Sequence, residues 1–163
     1  SNLWYIIEII PKSSKLKLFE ALTFDGFNKN IVKRANMVND FLIINCIGSN
    51  DKLGLRINKD FFIHNCILNK NKNEQLVSEI LKFLKTHQVK LDEKFSVIVN
   101  LGPGSFTGVR ISLAVAKGLE ISKNIKLYGF KNKDLRVFDQ KNVEKLIYKS
   151  LIEKKLIKPI YFS

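Results

Sequence analysis

Gly102-Pro103-Gly104, with Gly108 four residues further on, is the stretch whose residue types and spacing could do chemistry. Glycines ahead of a helix can cradle a phosphate against free backbone N–H groups. The spacing Gly102-x-Gly104-x-x-x-Gly108 misses the dinucleotide pattern by one residue. Val109-Arg110 stand after Gly108 where a phosphate loop has Lys followed by Ser or Thr. Neither pattern is met, so no cofactor is assigned. Cys46 and Cys66 sit in apolar runs without CxxC or Cys/His ligand spacing, which reads as buried free thiols, with a disulfide or redox pair as the alternative. His64 and His87 do not form the i, i+4 pair of a helical zinc site. Nothing in the spacing assembles a nucleophile with a base. No metal ligand and no catalytic residue is assigned.

The elements that must position the glycine run are legible on either side of it. Val97-Ile98-Val99 is a compact, β-branched apolar run suited to a buried strand. After the glycines, Ser105 or Thr107 can cap a helix whose apolar positions Ile111, Ala114, Val115, Gly118 and Leu119 share one face. Val109, Leu113 and Ala116 widen that apolar surface, and Ile125 to Phe130 reads as the next strand. Strand, glycine turn, helix and strand make a βαβ unit, so the fold class is α/β with at least one parallel strand pair. Ser112, Ala114, Ala116 and Gly118 make the helix rich in small residues. An interior glycine costs roughly 1 kcal/mol against alanine, so another backbone is expected close to Gly118. That backbone belongs either to the chain's own sheet or to a partner's helix.

Upstream, Phe41 to Ile47, Lys52 to Asn58 and Phe61 to Leu68 read as three antiparallel strands, with turns at Gly48-Ser49-Asn50-Asp51 and Lys59-Asp60. Asn73 to His87 is an amphipathic helix; Leu76, Val77, Ile80, Leu81, Phe83 and Leu84 give it a wide apolar arc. Residues 1 to 36 read as two or three strands (Leu3 to Ile10, Lys15 to Phe24, and a short run near Ile31-Val32). Beyond Phe130, Asp134 to Asp139 reads as a short strand. Val143, Leu146, Ile147, Ser150, Leu151 and Lys154 then follow helical spacing.

Composition bounds the rest. A chain of 163 residues holds one domain with a real core, or one domain plus an extension. No apolar run approaches the roughly 20 residues that span a bilayer, and the N-terminal stretch does not resemble a signal peptide. The cytoplasm is the expected compartment, with no membrane partner. The net charge of +13 invites a nucleic-acid reading. The lysines are spread along the whole chain among many asparagines, however, as AT-rich coding would impose. A solvated basic surface is therefore preferred to a dedicated RNA face.

The run Gly102, Pro103, Gly104, Ser105, Phe106, Thr107, Gly108, Val109, Arg110, continuing ISLAVAKGL, resembles the signature segment of the bacterial TsaB (YeaZ) family of tRNA threonylcarbamoyladenosine biosynthesis proteins. The likeness is strong from about Asp40 to Phe130 and weak in the tail, where Pro159-x-Tyr161 resembles the family's ending. It implies one half of the actin/Hsp70/sugar-kinase (ribonuclease H-like) fold: a three-stranded antiparallel meander plus βαβ, with the second domain largely missing. Three segments follow: residues 1–36 as an extension of unknown role, 37–130 as the TsaB-like domain, and 131–163 as a reduced C-terminal helix and tail, in a shortened family member. Met37 is the chain's only methionine and a possible start.

The resemblance further implies a non-catalytic partner of the transferase TsaD, which modifies adenosine 37 of tRNAs reading ANN codons. A TsaE-like ATPase completes the complex, and tRNA is met through it. The partner would dock on the two helices, and Leu76, Ile80, Leu81, Leu84, Val109, Leu113, Ala114 and Gly118 are the expected interface. Asn45 stands where nucleotide-binding relatives of the fold carry an acidic residue, which counts against the alternative of an ATP-binding phosphotransferase or ATPase. A basic tRNA-binding module is the other alternative.

Overall fold

The computed structural model describes residues 38–67, 72–149, 151–154 and 158–160. The strands expected in residues 1 to 36 lie outside the described residues. Five strands form one sheet: β1 (Phe41–Asn45), β2 (Lys52–Ile57), β3 (Asp60–Asn65), β4 (Ser96–Asn100) and β5 (Lys126–Phe130). Their order is β3-β2-β1-β4-β5. The meander is antiparallel, with Leu42 opposite Leu55 and Gly54 opposite Ile63. β1 and β4 run parallel with Leu42 opposite Val97, and β4 and β5 run parallel with Ile98 opposite Tyr128.

The sequence explains which strands are central. β4 is buried at every position and β1 at four of five. Uninterrupted apolar runs are what strands covered on both faces require. β3 is exposed at four of its six positions and half-buried only at Phe61 and His64, as an outer strand is.

Two cores flank the sheet. On one face, Leu42, Ile44, Leu53, Leu55, Val97 and Val99 meet α1 (Lys72–Thr86) and α2 (Phe106–Lys123) through Leu76, Ile80, Leu84, Leu113 and Ala114. On the other, Phe41, Ile43, Ile98, Tyr128 and Phe130 meet Val143, Leu146 and Ile147 of α3 (Gln140–Tyr148). Alternate residues of one strand thus feed opposite cores. Each fully buried Leu, Ile or Phe contributes about 1.5–3 kcal/mol of apolar burial.

Ser105 proves to be the N-cap of α2, accepting a hydrogen bond from the Gly108 N–H, and Asn124 closes the helix in the left-handed conformation. The region after β5 departs from the expected pattern. Asp134 to Asp139 is not a strand: a 3-10 turn occupies Asn132–Asp134, Leu135 drops into the second core, and Asp139 caps α3 through the Asn142 N–H. α3 ends at Tyr148, so Leu151 and Lys154 lie outside it. Ile152 instead turns into the second core. Glu153 forms a two-hydrogen-bond bridge with Gly129 on the outer side of β5. The backbone of that tail is satisfied by a strand edge rather than by another helical turn.

Candidate functional site at the strand ends

The carboxyl ends of β1 and β4 are neighbours, and the chain leaves them in different directions. Crevices of this kind are where open α/β sheets bind ligands. Asn45 ends β1, Asn100 ends β4, and Asn132 opens the 3-10 turn after β5. The Asn100 Nδ2 donates to Asn45 Oδ1 (2.6 Å) and to Asn132 Oδ1 (3.1 Å), while Asn100 Oδ1 accepts from the Gly102 N–H (2.8 Å). Asn100 is fully buried. Both of its amide hydrogens are therefore used, and the crevice floor is a neutral amide cluster.

The glycine run packs directly onto its neighbours. A Cβ on Gly102 would lie 2.7 Å from the Ile160 carbonyl oxygen, one on Gly104 2.6 Å from Ile47 Cβ, and one on Gly108 2.7 Å from the Cys46 carbonyl oxygen. Only glycine fits such approaches, and at Gly102 a φ of +93° adds a second reason. The Gly102–Pro103 peptide is cis. Ser105 N–H donates to Ile47 O, Asn132 N–H to Gly102 O (2.9 Å), and Ile160 N–H to Leu101 O (2.7 Å). The glycines thus serve chain-to-chain packing among three loops.

The motif's outward part lies at the start of α2. Phe106, Thr107 and Arg110 are exposed, Phe106 by 56%, and the Arg110 guanidinium lies 4.8 Å from the centre of the Phe106 ring. Of the eight residues expected at a partner interface, Leu81 alone is exposed (42%). Leu76, Ile80, Leu84, Val109, Leu113, Ala114 and Gly118 are buried in the chain. The wide apolar arc of the first helix is largely accounted for by core packing. Ser112, also fully buried, donates to the Gly108 carbonyl oxygen (2.7 Å).

The two cysteines are closer than their separation in sequence suggests. Cys46 is buried and Cys66 half-buried, and both are free thiols. A hydrogen bond with Cys66, followed by burial, pushes the Cys46 thiol far above the usual range. His64 bonds Glu79 of α1, and its ring lies 5.5 Å from that of Phe83. His87 stacks on Phe62 at 4.2 Å. Helix and strand spacing could not reveal the His64–Glu79 pair, because it joins two elements.

A mixed five-stranded sheet in this order, covered by helices, places the chain in the actin/Hsp70/sugar-kinase (ribonuclease H-like) class. Two solved structures share the fold: YeaZ from Pseudomonas aeruginosa (TM-score 0.51, 20% identity, 57% of this chain and 44% of that one), and an uncharacterized protein from the same organism with similarity to peptidase YEAZ (0.51, 20%, 57% and 43%). A family model described as TsaD, tRNA N6-adenosine threonylcarbamoyltransferase, matches residues 64–138. The tRNA threonylcarbamoyladenosine biosynthesis protein TsaB of Buchnera aphidicola subsp. Baizongia pistaciae is 42% identical over 55 residues, 34% of this chain and 25% of that protein. Over these segments the chain is similar to TsaB and YeaZ proteins, and it spans a quarter of the length of that curated relative.

Proposed function

We propose that this chain is the non-catalytic partner subunit of a TsaD-like transferase that forms the threonylcarbamoyl group on adenosine 37 of tRNAs reading ANN codons. One observation carries the reading: the strand-end crevice is floored by the neutral amides of Asn45, Asn100 and Asn132 and crossed by close loop packing. A subunit built to hold a magnesium nucleotide needs carboxylates and an open phosphate cradle there. The likeness to TsaB supplies the pathway. A TsaE-like ATPase is the further partner, tRNA is met through the assembly, and the cytoplasm is the compartment this work requires. Residues 37–130 form the working domain, with 1–36 an extension and 131–163 its reduced C-terminal part.

Docking uses the two helices, through the side chains they leave exposed. Leu81 on α1 and Phe106, Thr107 and Arg110 on α2 are available, while Leu76, Ile80, Leu84, Val109, Leu113, Ala114 and Gly118 shape the helices from within. The test is co-purification with the cognate TsaD-like protein, followed by titration of Leu81→Glu and Phe106→Ala. Truncating an interface anchor costs about 2 kcal/mol or more, roughly a thirtyfold loss of affinity. The melting temperature should hardly move, because both side chains are exposed. Normal binding by both variants would place the interface elsewhere.

The match of residues 64–138 to a transferase model favours a second reading, in which the chain itself is an active member of that superfold. Stoichiometric Mg²⁺–ATP binding by the isolated chain would support that reading over the first.

A further inference from the structure

We propose that His64, Cys66 and Glu79 form a binding site for a divalent metal ion of the zinc class, joining strand β3 to helix α1. His64 lies on β3 and Cys66 just beyond its end, two residues apart, so both side chains leave the strand on the same face. Glu79 lies on α1, which covers that face. One ligand atom from each of the three falls within 4.8 Å of the other two. A tetrahedral zinc site with Zn–N, Zn–O and Zn–S bonds of about 2.0–2.3 Å needs ligand atoms roughly 3.4–3.7 Å apart. His64 and Glu79 already share a hydrogen bond, which a bound ion would replace by sitting between them and the Cys66 sulfur.

The donor set itself is selective. Imidazole nitrogen, thiolate and carboxylate together suit zinc and its neighbours, whereas magnesium and calcium take oxygen ligands. A thiolate and a carboxylate carry two negative charges, matching a divalent cation, in a chain whose net charge is +13. Glu79 bonds the His64 imidazole although Lys82 borders the same groove, one of about 620 Å³. A plain surface ion pair leaves the nearby Cys66 thiol unexplained. Two of the three are also held from outside the cluster. The His64 ring lies against Phe83, the Cys66 N–H donates to the Asp51 carbonyl oxygen (2.9 Å), and the Cys46 thiol bonds the Cys66 sulfur. Ligands oriented by outer partners in this way are the usual setting of a metal site. Three protein ligands leave the fourth position to water from the groove.

The site predicts a cobalt titration of the full 163-residue chain under reducing conditions. Co²⁺ should bind one to one, with a thiolate-to-cobalt charge-transfer band in the near ultraviolet, and Zn²⁺ should displace it. Cys66→Ser should abolish the band while leaving the far-ultraviolet circular dichroism unchanged. Glu79→Gln keeps the shape of the side chain and should weaken cobalt binding while retaining the band. Cys46→Ser should keep the band and lose about 10–100-fold in affinity, the effect of removing an outer partner. Absence of saturable one-to-one binding would overturn the assignment. A band that survives in Cys66→Ser would overturn it equally.

Discussion

Asn100 concentrates more of the site than any other single residue. Its amide ties together the ends of two strands, the glycine turn and the segment after β5. Asn100→Ala should leave the Gly102 N–H and the Asn45 oxygen without this partner, at about 1–3 kcal/mol for each group that stays buried and unpaired. Urea denaturation would read it as a fall in midpoint with an unchanged slope. Asn45→Asp is the informative contrast. The substituted carboxylate still accepts from Asn100 Nδ2, so the fold should persist. It should also fail to create Mg²⁺–ATP binding, because the loops around Gly104 and Gly108 remain closed; calorimetry on the variant checks this. Gly108→Ala would force a methyl to 2.7 Å from the Cys46 carbonyl oxygen. Overpacking of this kind costs about 1–3 kcal/mol, readable as a lowered melting temperature.

Among the elements, α2 shows how far a pattern reaches. Its small residues and near-continuous apolar surface were legible, and the structure buries Val109, Ile111, Ser112, Leu113, Ala114, Val115, Ala116 and Gly118. Whether such a helix is covered by its own chain or by a partner is not encoded in spacing, since both demand the same residues. Ala114→Leu should therefore destabilise the isolated chain by about 1–3 kcal/mol. The C-terminal side of α2 carries a titration signature. Burial raises the Glu120 carboxyl above its ordinary 4.5, with Lys117 and Lys154 opposing, and burial lowers Lys154. A raised folded-state pKa means that the native chain holds the proton more tightly. Stability then falls as pH climbs from 4.5 through the raised value. Glu120→Gln should match the parent below that window and be more stable above it, which thermal melts at a series of pH values would show. A constant difference at every pH would contradict the assignment.

For the whole molecule, the five strands and both helices from Phe41 to Phe130 followed from local signals: apolar runs, turn residues, caps and apolar arcs. The placing of β4 beside β1 joins segments that no local signal connects. After Phe130 the helical spacing at Val143, Leu146 and Ile147 was legible, but the rest of the segment was not, because its path is set by contacts distant in sequence. Leu135 and Ile152 fill a core built by β1, β4, β5 and α3, and Glu153 pairs with Gly129. The amide cluster and the His64–Cys66–Glu79 grouping were illegible for the same reason, since each joins elements that no fixed spacing connects. The basic composition was legible but ambiguous. A solvated surface should bind RNA weakly and lose that binding as salt rises. Tight, tRNA-selective binding by the isolated chain at physiological salt would instead make charge part of the function.

The clasp between Ile160 and Leu101 bears on how the molecule is made. The Ile160 N–H bonds the Leu101 carbonyl, and its own carbonyl oxygen sits where a Gly102 side chain would be. A ribosome delivers the glycine turn well before the residues that lock it, since synthesis runs from the N-terminus. The sheet and α2 can form on the emerging chain, but the Leu101 carbonyl gains its Ile160 partner only when residues 158–160 arrive. Removing residues after 154 should accordingly leave far-ultraviolet dichroism nearly intact while speeding amide hydrogen exchange across Leu101 to Gly108. A half-made chain would then carry an unclasped signature loop, which delays recognition by any partner that reads this loop until translation has passed Ile160.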